Sequence, residues 1–171
     1  MEIRLRPLDV PDAVQYKTIR LNALKLAPTA FSSSFETCCL LADEFFLDRA
    51  TFAPDNFIIG GFHDQNLIAT AGGYVDQEKK RNHIGFVVGM WVEPSYRKHG
   101  IARKLLHAVV TQLKSLPHVT NIQLSVTDDN HHALELYKNY GFVVWGREPH
   151  ALKLPDDVYD ELHMALEAWV D

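Results

Sequence analysis

The amino-acid order predicts an α/β protein in which one mixed sheet carries helices on both faces. Three observations support this. Segments with period two and period 3.6 follow one another in the order β-α-α-β-β-β-α-β-α-β-β. His83 to Val92 is a nearly continuous apolar strand, as expected of a strand covered on both sides. The segment after it places Ala102, Leu105, Leu106, Val109, Leu113 and Leu116 on one stripe, the pattern of a helix lying against such a sheet. At 171 residues the chain is expected to be a single domain, 1–171, large enough for a proper core.

Glu2 to Arg6 alternates polar and apolar residues and reads as a short half-buried strand ended by Pro7. Asp9-Val10-Pro11-Asp12 supplies a cap residue, a first-turn proline and an acidic first turn, so a helix starts there and runs to about Ala27, before Pro28. Phe31 to Glu36 reads as a loop with two aromatics, and a shorter helix follows over Ala42 to Thr51. Phe57 to Phe62 and Leu67 to Val75 read as strands joined by the polar turn His63-Asp64-Gln65-Asn66. Asp76 to Asn82 is a charged turn before the central strand. Pro117 closes the striped helix, and Asn121 to Val126 alternates as a strand. Asp128-Asp129-Asn130 offers caps for a helix carrying Ala133, Leu136, Tyr137 and Tyr140 on one face, with Gly141 as its left-handed end. Phe142 to Gly146 reads as a strand, Pro149 to Asp157 as a loop, and Tyr159 to Leu166 as the last strand.

The net charge of −5 argues against broad attraction to nucleic acid or an anionic membrane surface. No apolar run approaches the roughly 20 residues of a membrane span, and Met1-Glu2-Ile3-Arg4 opens no signal-type apolar region. Cys38 and Cys39 are neighbours and form no disulfide framework, which suits a reducing cytoplasm. The nine histidines show no metal-ligand spacing, so no metal is expected.

The chemistry concentrates between Met90 and Ala102. A buried strand runs through a cation-rich turn into a helix start, and the free amides of a helix's first turn all point one way, toward an anion. Arg97-Lys98-His99-Gly100-Ile101-Ala102 fits the spacing Arg/Gln-x-x-Gly-x-Gly/Ala, whose small residues admit a ligand close to the backbone. The stretch is neither a Walker loop nor Gly-x-Gly-x-x-Gly, which disfavours a nucleotide-binding domain. By itself it equally describes a basic turn capping an amphipathic helix. Asn130, Ala133, Tyr137 and Tyr140-Gly141-Phe142 follow after the next strand.

Together these residues resemble the GNAT superfamily of acetyl-coenzyme A-dependent N-acetyltransferases. The element order matches over essentially the whole chain, most specifically over 84–142, and Tyr159 to Leu166 is similar to the closing strand of bacterial members. The resemblance implies a central, mixed, mostly antiparallel sheet with a V-shaped splay between the strands ending near Val92 and Val126. It implies that the backbone around Met90, Trp91 and Val92 pairs with the pantetheine arm of acetyl-CoA. Residues 97–102 (Arg97, Lys98, His99, Gly100, Ile101, Ala102) would hold the diphosphate, and Asn130 would bond the arm. Tyr137 would sit near the sulfur as the general acid for the leaving thiolate. A free amide near Met90–Val92 would stabilise the oxyanion formed when an amine attacks the thioester.

Other readings stand beside these. Tyr137 could be a core tyrosine, Asn130 only a cap, and His99 merely solvated. The general base is open, because the strand from His83 to Val92 contains no carboxylate. Glu93, Glu36, His83 and a water relay are the candidates. The acceptor pocket is expected between the first helix pair with its loop (Phe31, Phe35, Glu36), the strand with Gly72-Gly73-Tyr74, and the loop from Glu148 to Asp157. Gly73 and Gly89 leave room for a substrate or mark bulges. Trp145, Trp169 and the last strand are candidates for a homodimer contact. The predicted activity is transfer of an acetyl group to a primary amine of a small molecule or peptide in a ternary complex. The alternative is a non-catalytic acyl-CoA-binding or sensing module acting through a protein partner.

Overall fold

A computed structural model describes residues 2–167. Seven strands form one sheet: β1 (Arg4–Pro7), β2 (Asn56–His63), β3 (Asn66–Val75), β4 (Ile84–Val92), β5 (Asn121–Thr127), β6 (Val143–Lys153) and β7 (Val158–Glu167). Their spatial order is β1-β2-β3-β4-β5-β7-β6. Every neighbouring pair is antiparallel except β4 and β5, which are parallel because α4 (Ile101–Lys114) crosses over between them. The remaining helices are α1 (Ala13–Leu26), the single turn α2 (Phe35–Cys38), α3 (Asp43–Ala50) and α5 (His131–Tyr140).

The core lies in two layers, one on each face of the sheet. In β2, Phe57 and Ile59 join the layer under α4, while Ile58 between them joins the layer under α1 and α3. That is why the strand reads as continuously apolar. Leu105, Leu106, Val109, Val110 and Leu113 of α4 are almost completely buried, with Leu134 and Tyr137 of α5 in the same layer. Tyr16, Ile19 and Ala23 of α1 and Phe46 of α3 fill the other layer, together with Trp91.

β4 and β5 pair only at Ile84↔Asn121, Gly85↔Ile122 and Phe86↔Gln123. Beyond Phe86 they diverge, so Val87–Val92 and Leu124–Thr127 form the two arms of the expected V. The opening has a local cause. The β3–β4 register shifts between Thr70 and Gly72, leaving Gly89 and Met90 opposite Ala71 alone. Gly89 has φ 60°, and a bulge with a left-handed glycine sharpens strand twist at that point.

One boundary holds and three local expectations change. β1 ends at Pro7 as expected, with Pro7 itself still paired with Ile59; as an edge strand β1 tolerates its missing amide. Phe35–Cys38 is a helical turn rather than loop, because the Ser34 hydroxyl accepts from the Thr37 amide. The loop expected over Pro149–Asp157 is mostly strand: β6 continues to Lys153, and Leu152 and Lys153 pair with Tyr159 and Val158. Pro149 falls where the register shifts between Glu148 and Leu152, a position that needs no ladder amide. Finally, Gly73 leaves no substrate room, since a Cβ there would lie 2.5 Å from the Phe57 ring.

Candidate functional site

β4 sets the reactive edge. The Glu93 amide donates to Ile68 O at 2.9 Å, toward β3. Strand alternation therefore turns the peptide groups of Met90 and Val92 the other way, into the splay, where β5 no longer reaches them. A 3₁₀ turn, Pro94–Tyr96, then reverses the chain toward α4. Lys98 (φ 64°) and Gly100 (φ 71°) are left-handed, a backbone pattern suited to gathering amides around an anion. Space above Gly100 is open, with nothing within 4 Å of where a Cβ would be.

The start of α4 has no side-chain cap and no acidic residue in its first turn. Exposed Lys98, Arg103 and Lys104 surround it instead. Cations at a helix N-terminus oppose the macrodipole, so uncapped amides and like-signed side chains together leave a place that an anion stabilises. Arg103 and Lys104 were not foreseen as site residues. Their signal in the sequence was the inverted charge of the first turn.

Other predicted ligands divide. Ile101 is buried in the core, so only its amide faces the turn, and Ala102 is half-buried beside it. His99 is exposed, its Nδ1 3.3 Å from Tyr96 O. Arg97 turns back onto β4: its Nε donates to Val92 O at 3.0 Å and its guanidinium lies 4.7 Å from the Trp91 ring centroid. Its charge thus faces the strand rather than the helix start. Asn130 caps α5, its Oδ1 accepting from Ala133 N at 3.3 Å, and its Nδ2 makes no hydrogen bond among the described residues.

Tyr137 stands at the wall of the splay. It is buried, its ring packs edge-on against Phe142, and its hydroxyl points at Met90 Sδ, 3.8 Å away. Burial pushes its pKa up to about 12, so at neutral pH it is a protonated donor directed at a sulfur on β4.

Residues 22–142 match the model of the acetyltransferase (GNAT) family. The chain belongs to that family. Among curated relatives it is 31% identical over 72 residues to the L-amino acid N-acetyltransferase AaaT of Escherichia coli K12, covering 42% of this chain and 44% of that protein. It is 26% identical over 144 residues to N-alpha-acetyltransferase 30 of Saccharomyces cerevisiae, covering 84% and 77%. The match to AaaT therefore spans less than half of that relative's length. In structure the chain resembles a GNAT acetyltransferase of Streptococcus pneumoniae with TM-score 0.84 at 22% identity, over 97% of this chain and 99% of that one. It also resembles yncA of Salmonella typhimurium, solved with its cofactor acetyl-CoA, with TM-score 0.81 at 14% identity over 100% and 96%. This acetyltransferase is thus an acyltransferase enzyme built on the GNAT fold.

The candidate bases are scattered over the acetyltransferase. Glu93 lies past the end of β4, where Trp91 Nε1 donates to it at 3.4 Å, and it lines a groove with Gln15 and Thr18 of α1. Glu36 is exposed on α2. His83 sits at the closed end of the V, roughly 23 Å from Met90 by strand rise, too far to serve the amine. One titratable group was missed. Glu148, Glu161 and His163 place their ligand atoms within 4.8 Å of one another, with His163 Nε2 3.0 Å from Glu148 Oε2. The alternation of β7 announced Glu161 and His163, but reading residues after 146 as loop concealed Glu148. Trp145 is exposed on β6, and Trp169 lies outside the described residues.

Proposed function

We propose that this enzyme transfers the acetyl group of acetyl-CoA to a primary amine of a small molecule or peptide, by direct attack in a ternary complex. The observation that carries the reading is the set of groups along the splay: the uncapped, cation-ringed start of α4, the stretch of β4 beyond Phe86 that β5 does not pair, and the Tyr137 hydroxyl directed at Met90.

Acetyl-CoA supplies the activated acetyl group. The first-turn amides of α4, with Lys98, Arg103 and Lys104, suit its diphosphate. The outward peptide group of Met90 and the Val92 amide suit the pantetheine arm as an added strand would, and the spare amide of Asn130 would bond the arm. An outward amide of the Met90–Val92 edge stabilises the oxyanion. Tyr137 donates its proton to the departing sulfur. The amine's proton goes to Glu36, Glu93 or an intervening water. Direct attack agrees with the absence of any covalent-nucleophile signature in the sequence. The reading includes a reducing cytoplasmic setting, supported by the unpaired Cys38 and Cys39, and a homodimer through the β6 edge, where Val143 and Trp145 are exposed. The lack of a carboxylate on β4 is the feature that favours the sensing-module alternative.

Acetyl-CoA titration by calorimetry tests this, comparing wild type with Gly100→Trp of confirmed fold. A bulky side chain in the open space over the helix start should weaken binding about tenfold or more, a loss of about 1.4 kcal/mol. Equal affinities would overturn the assignment of the turn. Thiol release across a panel of amines tests transfer itself; tight acetyl-CoA binding with no acceptor turned over would favour the sensing module.

A further inference from the structure

Among the described residues Arg20 has no counter-ion. It projects from α1 on the sheet face opposite α4, between buried Ile19 and Ala23 of the same layer. Its guanidinium lies 4.5 Å from the Phe31 ring centroid, and Phe31 lies 6.4 Å from Trp91. Trp91 is flanked by Met90 and Val92, so the cation stands two aromatic contacts from the reactive edge of β4. The 3₁₀ turn before Phe31, Pro28–Ala30, packs near β5, so this segment bridges the two arms of the V.

Arg6, Arg81 and Arg147 each pair with an aspartate. Arg20 does not. Its Nη1 is buried without a hydrogen-bond partner. The titratable groups around it are the Tyr16 hydroxyl, the Cys38 thiol and a second cation, Arg49, with no carboxylate among them. Desolvation accordingly lowers its pKa, although a guanidinium remains charged at any working pH. Arg20 is half-buried, and a buried guanidinium nitrogen without an acceptor is unfavourable unless an anion joins it. The start of α4 lies on the other face, which leaves the α1 side for the acceptor.

We propose that Arg20 binds a carboxylate of the acceptor, so that the acceptor is an amine that also carries a carboxylate, as an amino acid does. This rests on the amine-acetylation reading above and names a substrate class for it. The planar guanidinium fork matches one carboxylate with two parallel hydrogen bonds, and one cation balances one negative charge, unlike a dianionic phosphate. Phe31 supplies an apolar contact between the carboxylate and the amine. Arg20 and Arg49 together repel acceptors that carry only positive charge, such as polyamines. Arg20 is a positioning residue and takes no part in bond making.

The test measures thiol release from acetyl-CoA with α-, β- and γ-amino acids, their carboxamides and spermidine. Wild type should favour the best amino acid over its own amide by about tenfold or more in kcat/KM, the range expected of a charge-assisted pair. Arg20→Gln should raise KM for that amino acid by a similar factor while leaving its kcat, the amide's KM and the acetyl-CoA affinity unchanged; Arg20→Lys should fall between. Equal efficiency for acid and amide in wild type overturns the proposal without any variant, so a misfolded Arg20→Gln cannot shield it. Unaltered discrimination in a folded Arg20→Gln overturns it too. Turnover of neutral amines or spermidine alone overturns the carboxylate site and leaves amine acetylation standing. No turnover with any acceptor removes both.

Discussion

Replacing Tyr137 by Phe isolates the proposed proton donor. The change deletes one oxygen from a ring that keeps its edge-on contact with Phe142, at 6.0 Å between centroids. The hydroxyl's partner among the described residues is the Met90 thioether at 3.8 Å, a weak acceptor, so global stability should change by less than about 1 kcal/mol. Acetyl-CoA affinity should stay within about threefold, since ligand packing against the ring is retained. Turnover should fall by about 10²- to 10³-fold, within the range of a lost general acid. The assays are steady-state thiol release and calorimetry on the same samples. Unchanged kcat would refute the acid role, and an equal loss in affinity and turnover would assign the hydroxyl to binding instead.

The same residue gives an alkaline stability signature. Its pKa is raised to about 12 in the folded state, against about 10 for an unfolded tyrosine. Below about pH 10 both states hold the proton and stability does not depend on it. Between about pH 10 and 12 the unfolded chain ionises while the native one does not, so stability falls by about 1.4 kcal/mol per pH unit. Tyr137→Phe should lack that contribution, as denaturant midpoints measured across this range would reveal.

Three further outcomes follow from the geometry. Arg103→Glu with Lys104→Glu should weaken acetyl-CoA binding by about tenfold or more and flatten its dependence on ionic strength, read by calorimetry at two salt concentrations. Gly73→Ala should destabilise the fold by about 1–3 kcal/mol through collision with Phe57, lowering Tm with little effect on acetyl-CoA affinity of the folded fraction. Asp12→Asn should lower stability by about 1–3 kcal/mol, because the nearly buried carboxylate accepts two bonds from Arg6, at 2.6 and 2.8 Å, and one from the Asp9 amide. Arg6 holds the Asp12 pKa below its ordinary value, so this contribution is present above about pH 4 and drains away as pH falls toward the folded-state pKa. An acid unfolding limb of identical shape in wild type and Asp12→Asn would contradict that.

The helices α4 and α5 were legible because their apolar stripes and their stops, Pro117 and Gly141, are encoded within a few residues. The turn into α4 was legible for the same reason. β6 was misread because bulged pairing between Glu148 and Leu152 hides the period of a strand, and a proline inside it looks like a boundary. Arg97 was placed with the diphosphate by the spacing of the turn and the family resemblance, whereas its guanidinium lies over Trp91 and its Nε donates to Val92 O, contacts that no local pattern announces.

Local pattern alone determined the mixed α/β class, the apolar central strand and an anion-attracting helix start, since each depends on neighbours in the chain. Only the tertiary structure decided how far β4 and β5 part, that Tyr137 meets a sulfur on β4, and that Arg20 is left without a counter-charge among the described residues. These are distances between segments far apart in sequence. They are set by a bulge at Gly89 and by the packing of helices on opposite faces of one sheet, which no short window of residues contains.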